Sequence, residues 1–173
     1  SSVTQIGEYS FYNCSNLKTV DIELDSKLEK IGKYSFSSTS IESIKIPSNV
    51  TLIDEFAFSY CSKLIVVDIP IDSKLNIIGK FSFSLSQMYS YMYLEDKPPE
   101  INHIGVHAFS LLHITNIRIP SSITIIEEYA FYECSKLTSI EIPSDSKLTA
   151  IEKYAFANTM IESIELPSQL TYI

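Results

Sequence analysis

Residue types on which many catalytic or cross-linked folds depend are scarce in this chain of 173 residues. It has four Gly, three Cys and no Trp. A disulfide framework favours an even number of cysteines, so none is expected here. No Gly-rich phosphate loop, nucleophile elbow or H-E-x-x-H sequence occurs. We therefore predict that the chain is not an enzyme and has no catalytic residues, no metal site and no cofactor.

Basic charge and long apolar runs are scarce as well. The chain has 13 Lys plus Arg against 21 Asp plus Glu, a net charge of -8. Phosphate binding draws most of its free energy from clustered Lys and Arg, so no nucleic-acid partner is expected. No apolar run approaches the roughly 20 residues that span a bilayer, and the N-terminus lacks the features of a signal peptide. We predict no transmembrane segment in this chain; a signal or an anchor would lie outside it.

What the chain has in excess is repetition, which should be tested before any other pattern. The dipeptide Ala/Ser-Phe recurs along its whole length, at spacings of 25, 22, 25, 26, 22 and 25 residues. Ile stands five residues before each Phe, and an aromatic ring or His stands two residues before it. The recurring phenylalanines are Phe11, Phe36, Phe58, Phe83, Phe109, Phe131 and Phe156.

A second segment, L/I-x-x-I/V-x-I/L-P, follows most of these phenylalanines. Its alternation predicts a short strand, with Ile140 and Ile142 inward and Ser139 and Glu141 outward in one copy. Strands this far apart in sequence cannot form hairpins, so we expect them to stack in parallel, roughly 4.8 Å apart, as coils of a solenoid. The I-x-x-Y-A-F stretch is predicted to be a tight turn or 3₁₀ segment that fills the other side of each coil.

The full pattern L-x-x-I-x-I-P-S-x-(V/I)-T-x-I-x-x-Y-A-F-x-x-C-S-x-L resembles the BspA-like leucine-rich repeat, the treponemal subclass found in surface antigens, over essentially the whole chain. The resemblance implies an α/β-class repeat fold. We expect a right-handed, horseshoe-shaped solenoid with little regular helix and a parallel sheet of about seven short strands on its concave face. Residues 1–173 would form one domain of about seven repeats of 22–26 residues, part of a longer array.

The fourth repeat departs from the pattern. After Phe83, the sequence M-Y-S-Y-M-Y-L replaces the expected strand, with Met88, Tyr91 and Tyr93 in the core register, and an insertion follows at residues 95–100. An insertion in a solenoid is confined to one loop on one face, often a binding face.

The outward positions of the predicted strands form two columns across the concave face, and such a face is a large binding surface. Their mixed charges, with an apolar centre at Val66 and Met92, suit a protein ligand. We predict that ligand binding involves Lys45, Val66, Asp68, Ser90, Met92, Asn116, Arg118 and Glu141.

By resemblance, the chain would be a non-enzymatic module of a cell-surface or secreted protein that adheres to host matrix proteins or to proteins of neighbouring cells. The alternative is an intracellular scaffold or regulatory protein of the same fold, favoured if the free thiols reflect a reducing compartment. The first and last repeats present open strand edges, which predicts possible end-to-end self-association.

Other residues with chemical potential have simpler interpretations. His103, His107 and His113 are expected to be surface side chains, since zinc needs further ligands and orienting partners. The cysteines, at one repeat position, are expected to be buried free thiols that bond loop backbone. Of two glycosylation sequons, Asn49 is the better candidate, because Asn13 precedes a position expected to be buried.

Overall fold

The chain forms a stack of parallel coils in a computed structural model that describes residues 2–88 and 100–173. No helix occurs in this part of the chain, and every strand pairing is parallel. The predicted repeat solenoid is thereby confirmed. We number the coils 1 to 7 by the recurring phenylalanine of each.

Two rows of strands run along the stack. The long-strand row has three-residue strands, which are β3 (Ser43–Lys45), β5 (Val66–Asp68), β8 (Asn116–Arg118) and β10 (Ser139–Glu141). The short-strand row has two-residue strands, which are β1 (Gln5–Ile6), β2 (Lys30–Ile31), β4 (Leu52–Ile53), β6 (Ile77–Ile78), β7 (His103–Ile104), β9 (Ile125–Ile126) and β11 (Ala150–Ile151).

The long-strand row has the predicted register. Strand β3 pairs with β5 so that Ser43 lies beside Val66, and β8 pairs with β10 so that Asn116 lies beside Ser139. A single bridge continues the row from Ser139 to Ser163 in coil 7. Of the irregular fourth repeat, Met88 is buried as predicted, whereas residues 89–99, including Ser90, Tyr91, Met92 and Tyr93, lie outside the described residues.

The short-strand row corrects the sequence interpretation of the I-x-x-Y-A-F stretch. Its Ile lies in a strand rather than in the turn, and β1, β2, β4, β6 and β7 form one five-stranded sheet. The turns begin only after the Ile. In coil 1 the amides of Ser10, Tyr12 and Cys14 donate to the carbonyls of Gly7, Tyr9 and Phe11, so three tight turns follow one another without a 3₁₀ helix.

These turns place aromatic residues, not glycines, in the left-handed region. The residue two positions before each recurring Phe has a φ between 54° and 58°. The residue four positions after that one also has a positive φ, whereas no glycine does. Such a φ is unfavourable for a bulky side chain. Contacts between coils offset the cost: the Tyr34 amide, for example, donates to the Glu55 carbonyl of the next coil at 3.1 Å.

The centre of the stack is a ladder of phenylalanine rings. Rings of successive coils lie nearly parallel with centroids 5.2 to 5.6 Å apart, from Phe11 to Phe156. Phe36, Phe58 and Phe83 are fully buried, while Phe11 in coil 1 is 39% exposed. Offset stacking adds to the large apolar area that each ring buries, so this ladder is the main packing contact between coils.

Removing one interior ring of this ladder should be costly. Phe58→Ala leaves a cavity between Phe36 and Phe83, and we expect it to lower the free energy of unfolding by about 3–5 kcal/mol. Phe11→Ala should cost clearly less, because that ring is partly exposed. Guanidinium unfolding followed by circular dichroism measures both, and an equal loss in the two variants would contradict the ladder as the source of stability.

A small residue precedes each ladder Phe, and two of these carry a buried hydroxyl with no partner. The Oγ atoms of Ser35 and Ser82 have no hydrogen bond, whereas coils 3, 5, 6 and 7 have Ala at this position. Burying an unpaired hydroxyl opposes folding. The neighbouring Ser84 differs, because its Oγ lies 2.9 Å from that of Ser110.

Ser82→Ala should therefore leave the protein as stable or raise its free energy of unfolding by about 1 kcal/mol. The matched control is Ser84→Ala, which should lower it by a similar amount because it removes the buried hydrogen bond between the Ser84 and Ser110 hydroxyls; Ser110 keeps its bond to the His107 carbonyl. Urea unfolding of the two variants tests the contrast, and the opposite order would refute it.

Candidate protein-binding face

The candidate site is the outward surface of the long-strand row, which we call the long-strand face. Alternation along each strand turns one central side chain inward and two outward. The inward positions are uniformly apolar, as Ile44, Val67, Ile117 and Ile140. The outward positions vary between coils: Ser43, Val66, Asn116 and Ser139 form one column, and Lys45, Asp68, Arg118 and Glu141 form the other.

The half of this face in coils 2 and 3 has an apolar centre with charges beside it. Val66 and Ile71 lie in a shallow depression that Lys45 and Asp68 also line, and Ile71 is 60% exposed. Lys45 and Asp68 are register partners on neighbouring strands. Within the described residues neither one forms an ion pair, so both charges are free to meet a ligand.

The half in coils 5 to 7 is acidic and partly self-neutralised. Arg118 Nε lies 3.4 Å from Glu141 Oε1 across the β8–β10 pair. Glu141, Glu162 and Glu165 line a second depression together with small polar residues. Of the predicted ligand-binding residues, six thus share one face, while Ser90 and Met92 fall outside the described part of the chain.

Two cysteines behave as the sequence predicts, and one does not. Cys61 and Cys134 are buried, and their thiols donate to the carbonyls of Phe36 and Phe109 at 3.1 and 3.0 Å. Each thiol thus bonds the coil that directly precedes it in the stack. Cys14 is exposed, contrary to expectation, because in the described residues no coil precedes the first one.

The histidines do not come together as a metal site. His103 Nδ1 lies 3.4 Å from Glu127 Oε1, whereas the His107 ring is stacked between Phe81 and Tyr129 at 4.4 and 4.5 Å. Burial, followed by the nearby Lys80, lowers the pKa of His107, which favours the neutral ring in this stack. Among residues 2–88 and 100–173, no group of three or more His, Cys, Asp or Glu could hold a metal ion.

The glycosylation candidate Asn49 is engaged in the contact between coils. Its side-chain amide nitrogen, the atom that would carry a glycan, donates to the Ser26 carbonyl at 3.0 Å, and Lys74 Nζ donates to its Oδ1 at 2.8 Å. Asn13 is exposed, and so is the Cys14 beside it. Glycosylation at Asn49 stays a prediction, and it would replace the bond to Ser26.

A second aromatic ladder lies at the surface, which the sequence pattern did not indicate. It is half-exposed, with ring centroids 4.4 to 5.0 Å apart. Lys33, Lys80 and Lys153 lie 5.9, 5.6 and 5.0 Å from the ring that follows each of them. The ladder consists of Tyr9, Tyr34, Phe56, Phe81, His107, Tyr129 and Tyr154. We call the surface around it the turn face.

Parallel coils of 22 to 26 residues, with a strand row and a recurring apolar ladder, define the class as leucine-rich repeat solenoids. Within that class, the BspA type leucine rich repeat region matches residues 1–101 and 69–173, in six copies. The chain belongs to this family. No curated protein matches it.

Two solved structures share the fold. The pneumococcal vaccine antigen PcpA is 21% identical, with a TM-score of 0.62, and the match covers 97% of this chain and 49% of that one. A leucine rich cell surface protein from Faecalibacterium prausnitzii is 22% identical, with a TM-score of 0.66, covering 99% of this chain and 44% of that one. This chain therefore spans about half of each, or less.

The thiols should report the difference between exposed and buried positions. Burial raises the pKa of Cys134 from 9.0 to about 12, so its reactive thiolate is absent at pH 8. We expect an aromatic disulfide reagent to modify one thiol per native chain, that of Cys14, and three after unfolding. Rapid modification of all three in the native protein would contradict the buried positions.

The same shift has a consequence for stability at high pH. The folded-state pKa of Cys134 lies above its ordinary value. The contribution of the protonated thiol to the free energy of unfolding is therefore complete below pH 9 and is lost as the pH rises toward about 12. Cys134→Ala should remove this part of the alkaline destabilisation. Unfolding curves between pH 8 and 11 for both proteins measure it.

Proposed function

We propose that the chain is a non-enzymatic protein-binding module of a cell-surface BspA-type leucine-rich repeat protein. Its long-strand face would adhere to a host matrix protein or to a protein of a neighbouring cell. The observation that carries this proposal is the contrast between the uniform inward positions and the varied outward positions of the same strands. Packing fixes the inward residues, whereas it leaves the outward ones available for recognition.

The half-face around Val66 supports a protein ligand. Apolar side chains at the centre with charges at the edge are typical of protein interfaces, where the centre loses its water and the rim stays polar. Val66 and Ile71 provide the centre, and Lys45 and Asp68 provide charges that no described ion pair neutralises. These charges would determine how the partner is oriented more than how tightly it binds.

The half-face around Glu141 supports a ligand with basic side chains beside the apolar contact. Glu162 and Glu165 are exposed, and Arg118 offsets only part of the negative charge. A partner that spans both halves would thus place an apolar segment near Val66 and a basic segment near Glu165. This polarity argues against a polyanion as the ligand.

A location at the cell surface is supported by the family and by its structural relatives. One solved relative is described as a cell surface protein and another as a vaccine antigen. No helix in the described residues has the length and apolar character that crossing a bilayer requires. The alternative of an intracellular scaffold loses the support of the free thiols, because packing accounts for Cys61 and Cys134. End-to-end self-association stays a prediction.

A double substitution at the apolar half-face tests the proposal. Val66→Asp with Lys45→Glu reverses one charge and makes the centre polar, on side chains that the core does not use. We expect saturable binding to immobilised matrix proteins or intact epithelial cells by the wild type, and a loss of at least tenfold in affinity for the variant.

The matched control is Leu24→Asp with Lys27→Glu. It makes the same two chemical changes at exposed positions in the connection that follows the first coil. Circular dichroism and melting temperature should be unchanged in both variants. Equal binding by wild type, variant and control would show that the long-strand face is not the adhesive surface.

A further inference from the structure

The chain has two sequons for N-linked glycosylation, at residues 13–15 and 49–51, and the structure places them in opposite environments. A sequon pairs an Asn with a Ser or Thr two residues later. The transferring enzyme must reach the amide nitrogen of the first residue and the hydroxyl of the third. The sequon in which both groups are free and face solvent is therefore the better acceptor.

The second sequon is engaged in contacts between coils. Asn49 Nδ2 donates to the Ser26 carbonyl at 3.0 Å. Thr51 Oγ1 donates to the Glu29 carbonyl at 3.2 Å. Val50, which stands between them, is fully buried. The two groups that the enzyme must reach are thus both bonded to the preceding coil.

The first sequon has no such contacts. Asn13, Cys14 and Ser15 are all exposed. Within the described part of the chain, the side chains of Asn13 and Ser15 form no hydrogen bond. The backbone amide of Asn13 donates to the Ser37 carbonyl at 2.9 Å, so the chain is held in place while the side-chain amide faces solvent.

The repeat equivalents show that this exposure does not depend on the place of coil 1 in the stack. Coil 3 has a coil on each side, and its equivalent residues are Tyr60, Cys61 and Ser62. Tyr60 is 57% exposed and Ser62 is exposed, whereas Cys61 is buried. The first and third positions of this motif therefore face solvent in an interior coil as well.

The position of Asn49 holds coils together elsewhere in the stack. Ser122 and Gln169 are its repeat equivalents, and each donates through its side chain to a backbone carbonyl in the coil before it. Side chains at this position thus form the same kind of contact three times. A sugar on the half-buried nitrogen of Asn49 would crowd that contact.

We propose that Asn13 carries an N-linked glycan and that Asn49 does not. This reverses the preference that the sequence alone suggests, and it goes beyond the proposed adhesion. It rests on the proposed cell-surface location in one respect, because the chain must pass through a compartment that holds the glycan donor.

The reaction attaches the sugar through the side-chain amide. Asn13 Nδ2 forms a bond to C1 of an oligosaccharide carried by a polyprenyl diphosphate, and the bond from that carbon to the diphosphate oxygen breaks. The amide loses one proton, and the lipid diphosphate leaves. The donor and the transferase belong to the secretory pathway, so this chain supplies only the acceptor.

A glycan on Asn13 is compatible with binding through the long-strand face. Asn13 lies in the turn segment, four residues after the ring of Tyr9. Asn49, in contrast, stands next to Ser48, whose repeat equivalent Ile71 lines the apolar depression of that face. Modification at Asn13 therefore leaves the depression uncovered.

Secretion of the chain from eukaryotic cells, behind a cleavable signal sequence, tests the proposal. We expect the intact mass to show one glycan on the wild type, none on Asn13→Gln and one on Asn49→Gln. Peptide N-glycosidase converts a glycosylated Asn into Asp, so peptide mass spectrometry after digestion identifies the modified residue.

A matched pair of new sequons tests whether the position decides. Tyr60→Asn creates Asn-Cys-Ser at the position of Asn13, and Ser122→Asn creates Asn-Ile-Thr at the position of Asn49. We expect a second glycan on the first variant and no second glycan on the other. Asn suits the left-handed φ of 57° at position 60, so circular dichroism and melting should match the wild type.

Three results would overturn the proposal. They are an unmodified wild type after secretion, a glycan on Asn49, and equal modification of the sequons that Tyr60→Asn and Ser122→Asn create. Adhesion of the Asn13→Gln variant is measured separately and should equal that of the wild type. A failure of the proposed adhesion would therefore leave the glycan masses unchanged.

Discussion

The stacking of each ladder phenylalanine on its counterpart in the next coil is the contact on which the rest of the structure depends. Rings 5.2 to 5.6 Å apart hold successive coils at nearly the separation that parallel strands need for backbone hydrogen bonds. Both strand rows, the bonds between turns and the second aromatic ladder can therefore form at once. A coil alone has none of these contacts, which is why it has no stability by itself.

The strain in the turns is acceptable only because of this stacking. An aromatic residue at positive φ is unfavourable in an isolated peptide, but from coil 1 to coil 6 each such amide has an acceptor in the next coil, and each ring has a neighbour on its face. Propensity would have placed Gly or Asn there. The glycines of the chain stand two residues earlier, in strand ends and turn starts without positive φ.

This explains what could be predicted from the sequence. The recurring Phe and the Ile-x-Ile alternation carry a strong periodic signal, so the solenoid, the parallel long-strand row and its outward columns were predictable from the sequence. The short-strand row was not, because two residues show no alternation. Burial of Cys14 was wrongly expected from its repeat equivalents Cys61 and Cys134, since burial at that position comes from an adjoining coil and not from the residue itself. The outward residues of the long-strand face were placed correctly as a surface, whereas their ligand depends on chemistry outside the chain.

The break in the short-strand row has a mechanical consequence. Strands β1 to β7 of that row form one continuous sheet and β9 pairs with β11, but no pairing joins β7 to β9 among the described residues. The junction between coils 5 and 6 is then held by the long-strand row, the turn bonds, the stacked rings of the two ladders and the contact between His103 and Glu127. A pull along the axis, such as an anchored module would feel when its ligand is drawn away, loads every junction equally. At the junction between coils 5 and 6 this load falls on the long-strand row, the turn bonds and the stacked rings, whereas from coil 1 to coil 5 the short-strand row carries part of it.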